Sequence, residues 1–244
     1  MKRVTLALMV SEMKRVVVAF VLMVSVACVA DAQDRSVLRD SLKAAAERLS
    51  FHPDSIDLQL QKASWNMMLE EWDNAKYEYD LVLSHDPANV AALFYRAYAN
   101  ERLKRYNFAR LDYENMLTIV PSHFEARLGL ALLNEKSKRY TDAMNQMNLL
   151  VEQHPDSALA YAVRAGMERE REMLDVAVFD YSKAIQLEPS NTDYIVARAD
   201  LYLRQQRFAE AREDLERLIA LGVTRAELSD FFDRLNHKSK ARKK

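Results

Sequence analysis

The tetrapeptide His-Pro-Asp-Ser occurs twice in the chain, as His52-Pro53-Asp54-Ser55 and as His154-Pro155-Asp156-Ser157. The five prolines are Pro53, Pro87, Pro121, Pro155 and Pro189, and each gap between them is 34 residues. Independently placed prolines would each keep that phase only about once in 34 trials, so the spacing marks a repeat. The tetrapeptide is a fragment of it, seen three periods apart.

Other residues keep the same phase when blocks are counted from Ile56, Val90, Phe124, Ala158 and Thr192. Position 8 is Ala63, Ala97, Ala131, Ala165 and Ala199; position 20 is Ala75, Ala109, Ala143, Ala177 and Ala211. Position 17 is large and apolar (Trp72, Tyr106, Tyr140, Leu174, Phe208), and position 24 is Tyr79, Tyr113, Met147, Tyr181 and Leu215. The fifth block has Val223 where its proline would fall. Only three glycines and five prolines interrupt a chain rich in Ala, Leu, Arg and Glu, which predicts an all-α protein. Each block reads as two antiparallel helices, roughly positions 1–14 and 15–31. The alanines let the two backbones cross closely, since a larger side chain there overpacks the contact at about 1–3 kcal/mol. The side chains at positions 17 and 24 fill the space between one helix pair and the next. Proline ends the second helix by forcing the preceding residue out of helical geometry. Asn89, Ser157 and Asn191 follow two residues later as N-caps.

With its 34-residue period, its closing proline and the A-x3-aromatic steps Ala75/Tyr79, Ala109/Tyr113 and Ala177/Tyr181, the sequence resembles the tetratricopeptide repeat (TPR) family. Two positions depart from that family's pattern. Position 8 is alanine where the family usually has glycine, and position 4, often Trp, is variable here. The resemblance implies a right-handed α-α superhelical solenoid of five helix-turn-helix repeats, 56–89, 90–123, 124–157, 158–191 and 192–223. A stack of this kind needs its ends covered. Residues 33–55 supply a capping helix with the stripe Leu38, Leu42, Ala45 and Leu49. At the other end Gly222 breaks the pattern and Thr224-Arg225-Ala226-Glu227 reads as a capping box. Leu228, Phe231, Phe232 and Leu235 then form the stripe of a second cap within 224–244.

Residues 1–32 read as a secretory signal peptide: Lys14 and Arg15, the uncharged run Val16–Ala30, and the small-x-small site Ala30-Asp31-Ala32. The run is shorter than the roughly 20 apolar residues of a membrane span. The sequence MKRV opens at both Met1 and Met13, so the signal has two candidate starts. Cleavage after Ala32 removes Cys28, the only cysteine, and leaves a chain suited to an oxidising compartment. In the alternative reading Cys28 is the lipidated N-terminus of a membrane-anchored lipoprotein, although Ser25 stands where such signals have Leu. The expected location is the bacterial periplasm.

No motif for catalysis, metal or cofactor emerges. Gly129, Gly166 and Gly222 do not make a phosphate loop, and the five histidines lack metal-ligand spacing. His52, His85 and His154 lie just before or at the ends of second helices, where the dipole favours a cation. A net charge of −1 gives no sign of a nucleic-acid partner. The expected function is a non-catalytic scaffold that binds a peptide or helix of another protein. Its alternatives are a self-assembling oligomer and a lipoprotein accessory subunit of an envelope complex.

The resemblance places positions 2, 5, 9, 12 and 13 of the first helices on a concave groove. In blocks one to three they include Leu60, Phe94 and Leu128, then Ser64, Tyr98 and Leu132, edged by Met67, Met68, Glu101, Arg102, Glu135 and Lys136. An exposed apolar strip rimmed by charge marks an interaction site. The alternative is that these side chains pack between first helices and expose little. Blocks four and five carry Ala162, Gly166, Val196 and Asp200 at matching places. The clamp that some family members use to hold a carboxylate is missing: position 5 is Leu, Phe, Leu, Ala and Val, with no Asn at position 9. The tail from His237 to Lys244 carries five fixed positive charges, read as a solvated end or as a contact for anionic lipid or an acidic partner.

Overall fold

The computed structural model describes residues 32–241, with side chains from Arg35 to Leu235. The signal segment before Ala32, Cys28 and the side chains of the basic tail lie outside the described residues.

Among the described residues the chain forms twelve helices and no strand. An entry helix α1 (Ala32–Phe51) precedes five pairs: α2 (Ile56–Met68) with α3 (Trp72–His85), α4 (Val90–Arg102) with α5 (Tyr106–Ile119), α6 (Phe124–Lys136) with α7 (Tyr140–Gln153), α8 (Ala158–Glu170) with α9 (Leu174–Leu187), and α10 (Thr192–Arg204) with α11 (Phe208–Ala220). Helix α12 (Ser229–Ala241) closes the order.

The helix ends repeat as faithfully as the helices. Asn89, Ser157 and Asn191 each accept a backbone N–H from the first turn of the helix they open. Ser55 does the same for α2, and His123 Nδ1 for α6, a substitute the sequence reading passed over. Each first helix ends one residue earlier than predicted because a left-handed residue stops it. At position 15, Glu70, Lys104, Lys138, Glu172 and Gln206 have φ of 60–62°. The following N–H then turns back to the helix, as when Arg105 donates to the Asn100 carbonyl at 2.7 Å. The second helices stop at Asp86, Val120 and Glu188, whose ψ values of 80–85° are the extended geometry that the next residue, proline, demands.

Contacts divide the chain into two compact units, with the boundary between Ala143 and Met144 inside α7. The core of the first unit gathers Tyr79, Val82, Leu93, Phe94, Tyr113 and Met116 around the small residues of α2 to α6. In the second, Tyr181, Ile185, Ile195, Leu201, Leu215 and Leu218 do the same for α8 to α11. The ten alanines at positions 8 and 20 are all at 0% exposure, and the five position-24 side chains are buried. Position 17 is less enclosed than predicted: Trp72, Tyr106, Leu174 and Phe208 are half-buried and Tyr140 is exposed.

On α1, Ala45 is buried and Leu38, Leu42 and Leu49 are half-buried on a helix that is otherwise mostly exposed. Leu228, Phe232 and Leu235 join the core of the second unit. The Thr224–Glu227 box forms, with the Thr224 N–H donating to Glu227 Oε2 at 2.8 Å. It closes a single turn, however, and the helix starts only at Ser229.

Candidate functional site

Between the two helices of a pair runs an ionic contact that sequence reading missed. Position 7 of the first helix is a base and position 23 of the second an acid. Lys62 meets Glu78 at 2.5 Å. Arg96 binds Asp112 through Nε at 3.1 Å and Nη2 at 2.5 Å, and Arg164 binds Asp180 in the same way at 2.6 and 2.9 Å. Arg198 repeats this with Asp214 at 2.9 and 2.6 Å. The third guanidinium nitrogen reaches back one repeat to position 25, bonding Asp80 from Arg96, Asn148 from Arg164 and Ser182 from Arg198. The acids are buried, and donating to Asp180 raises the pKa of Arg164 against the opposing effect of burial. Block three carries Leu130 and Gln146 at these positions instead. The signal was legible as a base–acid pair sixteen residues apart, recurring at the proline period.

Beside Arg96 lies a cavity of about 390 Å³, walled by Phe108 and Leu111. Its charged floor is mostly satisfied from within: Lys76 bonds Asp80 at 2.6 Å, Arg96 holds both Asp80 and Asp112, and Asn100 donates to Asp112.

The groove residues of the first unit sort by depth. Phe94 and Leu128, predicted to be exposed, are buried at 8% and 4%. Position 5 points into the seam with the neighbouring helices, where the Phe94 ring meets Tyr113 edge-on at 6.0 Å and stacks near His123 at 6.3 Å. Leu60, Ser64, Met67, Tyr98 and Leu132 are half-buried, and Met68 is exposed. Tyr98 packs edge-on against Trp72 at 5.9 Å. Arg102 lies 4.8 Å over the same Trp72 ring, and Lys136 lies 4.8 Å over Tyr106 one period later. Glu101 is turned inward, accepting the Tyr113 hydroxyl at 2.8 Å. Burial raises its pKa, partly offset by that bond and by Lys136. In the second unit Ala162 and Gly166 are buried, Val196 is half-buried, and Asp200 pairs with Arg234 at 2.8 Å. What faces outward at the predicted groove is therefore a thin apolar row with two ring-held cations at its rim.

Tandem helix hairpins crossing at buried alanines define a helical-repeat protein. A family model described as tetratricopeptide repeat matches residues 102–166. Among solved structures, a tetratricopeptide repeat protein from Parabacteroides merdae is 22% identical, with 83% of this chain and 79% of that one covered and a TM-score of 0.56. YrrB, described as a TPR protein with an unusual peptide-binding site, is 16% identical over 82% of this chain and 99% of its own, with a TM-score of 0.60. PilW, a type IV pilus biogenesis factor, is 17% identical over 75% and 85%, with a TM-score of 0.61. The match over residues 102–166, the 34-residue period and the fold agree in their likeness to tetratricopeptide-repeat proteins.

Proposed function

We propose that the protein is a non-catalytic scaffold of the bacterial cell envelope that holds a peptide or helix of another protein against the first helices of repeats one to three. The observation that carries this is the row of Leu60, Met67, Tyr98 and Leu132, half-buried along successive first helices with Arg102 and Lys136 fixed over aromatic rings beside it. Apolar side chains left partly open beside oriented cations suit a segment with an apolar face and acidic flanks. YrrB is described as binding a peptide, which supports the general mode. The envelope location rests on the Lys14–Ala32 segment of the sequence, and a mature N-terminus at Gln33 is the expected product.

The test replaces the half-open residues and leaves the buried Phe94 alone. A Tyr98→Glu/Leu132→Glu protein should keep its helical circular dichroism and lose the partners that the parent captures from native envelopes. Capture unchanged by the double substitution overturns the groove assignment.

A second reading, self-assembly, is favoured by a different surface. Tyr77, Phe108 and Leu111 on α3 and α5 are 59%, 61% and 52% exposed. Light scattering that gives a monomer at every concentration removes it.

A further inference from the structure

Position 11 of the first helix is Asn66, Asn100 and Asn134 in blocks one to three, and Glu168 in block four; all four are buried. In block two the Asn100 amide donates to Asp112 Oδ2 at 3.2 Å, across twelve residues of sequence, while Arg96 binds the same carboxylate. Glu168 and Asp180 occupy the equivalent places with the same separation, and Arg164 holds Asp180 by two bonds. An ionised Glu168 has no hydrogen to offer, and its Oε2 is buried with no hydrogen-bond partner. The charges acting on it are Asp180 on α9, which repels, and Arg164 and Arg171 on its own side, which attract. Burial is the largest influence, and the sum pushes the Glu168 carboxyl up to about 7.

We infer that Glu168 and Asp180 form a proton-operated latch between α8 and α9. Protonated Glu168 donates its O–H to the Asp180 carboxylate, as Asn100 donates to Asp112. Loss of that proton sets a second buried carboxylate beside Asp180, a repulsion that the attraction of Arg164 and Arg171 offsets only in part, and the helix pair loosens. An unfolded glutamate titrates near 4.5, so folding favours the protonated form. The stability from the latch is complete below that value and is lost as pH rises through about 7. The repeat is thereby tighter in acid than at neutrality, opposite to a carboxylate whose folded pKa is depressed.

The test uses the full chain, following the Glu168 carboxyl carbon by NMR and amide exchange in α8 and α9 after correction for intrinsic rates. The expected carboxyl midpoint lies well above the ordinary glutamate range, with exchange several-fold faster at about pH 8 than at about pH 5.5. Glu168→Gln keeps a donor at every pH and should hold the slow exchange throughout, and α4 and α5, joined by Asn100, serve as the internal control. A midpoint in the ordinary range, or a Glu168→Gln protein with the parent's pH dependence, overturns the latch. Should that variant fail to fold, the parent's carboxyl titration and exchange decide the matter alone.

Discussion

Arg164 grips Asp180 with two charge-assisted hydrogen bonds across sixteen residues, and one period later Arg198 grips Asp214 in the same way. Each contact joins the two helices of one pair. The remaining Nη1 of each arginine ties that pair to the preceding second helix, through Asn148 and Ser182. A single guanidinium thus sets the register within a repeat and between repeats, where apolar contacts alone would tolerate sliding.

Removing one member of such a pair leaves a buried charge without its partner, which typically costs about 3–5 kcal/mol. Arg164→Leu should therefore lower stability in urea denaturation by about 3 kcal/mol or more. Arg164→Leu combined with Asp180→Gln, the residues that block three uses at these positions, should recover most of the loss. A single variant within about 1 kcal/mol of the parent would show that the ladder does not hold the repeat together.

Gly129 reverses the usual rule for a helical glycine. Replacement by alanine inside a helix ordinarily gains about 0.5–1 kcal/mol. Here the added Cβ would meet Tyr113 Cζ at 2.8 Å, and that ring is buried and anchored to Glu101. Gly129→Ala is expected to destabilise the protein by roughly 1–3 kcal/mol. In a Tyr113→Met background, which borrows the residue of block three, the same change should become neutral or stabilising. A thermodynamic cycle of the four proteins checks the coupling.

The left-handed turn at position 15 is built in every block from a residue with a Cβ. Lys104 adopts φ of 61° and is exposed, so its conformation carries strain without side-chain burial. Lys104→Gly should raise the denaturation midpoint, by roughly 0.5–1 kcal/mol in stability. Lys104→Val should lower it, since a branched side chain fits the left-handed region worst.

Much of the fold was readable because its physics is local and periodic. Ala63 and Ala75 sit in phase with their counterparts since each helix crossing imposes the same close approach. Asp86, Val120 and Glu188 end their helices for a reason contained in the next residue. The ladder from Lys62 to Asp214 recurs at the same period in four of the five blocks, but its meaning depends on which charges are shielded from water, and charged residues on helices ordinarily are not. The groove was harder. Position 5 and position 9 lie on one helical stripe, yet Phe94 is buried in the seam against Tyr113 while Tyr98 stays half open beside Trp72.

The sequence by itself determined the helix pairs, their period, their small-residue crossings and most of their ends, because each follows from backbone sterics and from spacing along one chain. Only the tertiary structure decided which members of the groove stripe are sunk, which arginine reaches which carboxylate, and that Glu168 is buried at the place where block two sets the Asn100 amide against the buried Asp112. Those outcomes turn on burial and on the distance between side chains many residues apart, quantities that exist only once the helices have packed.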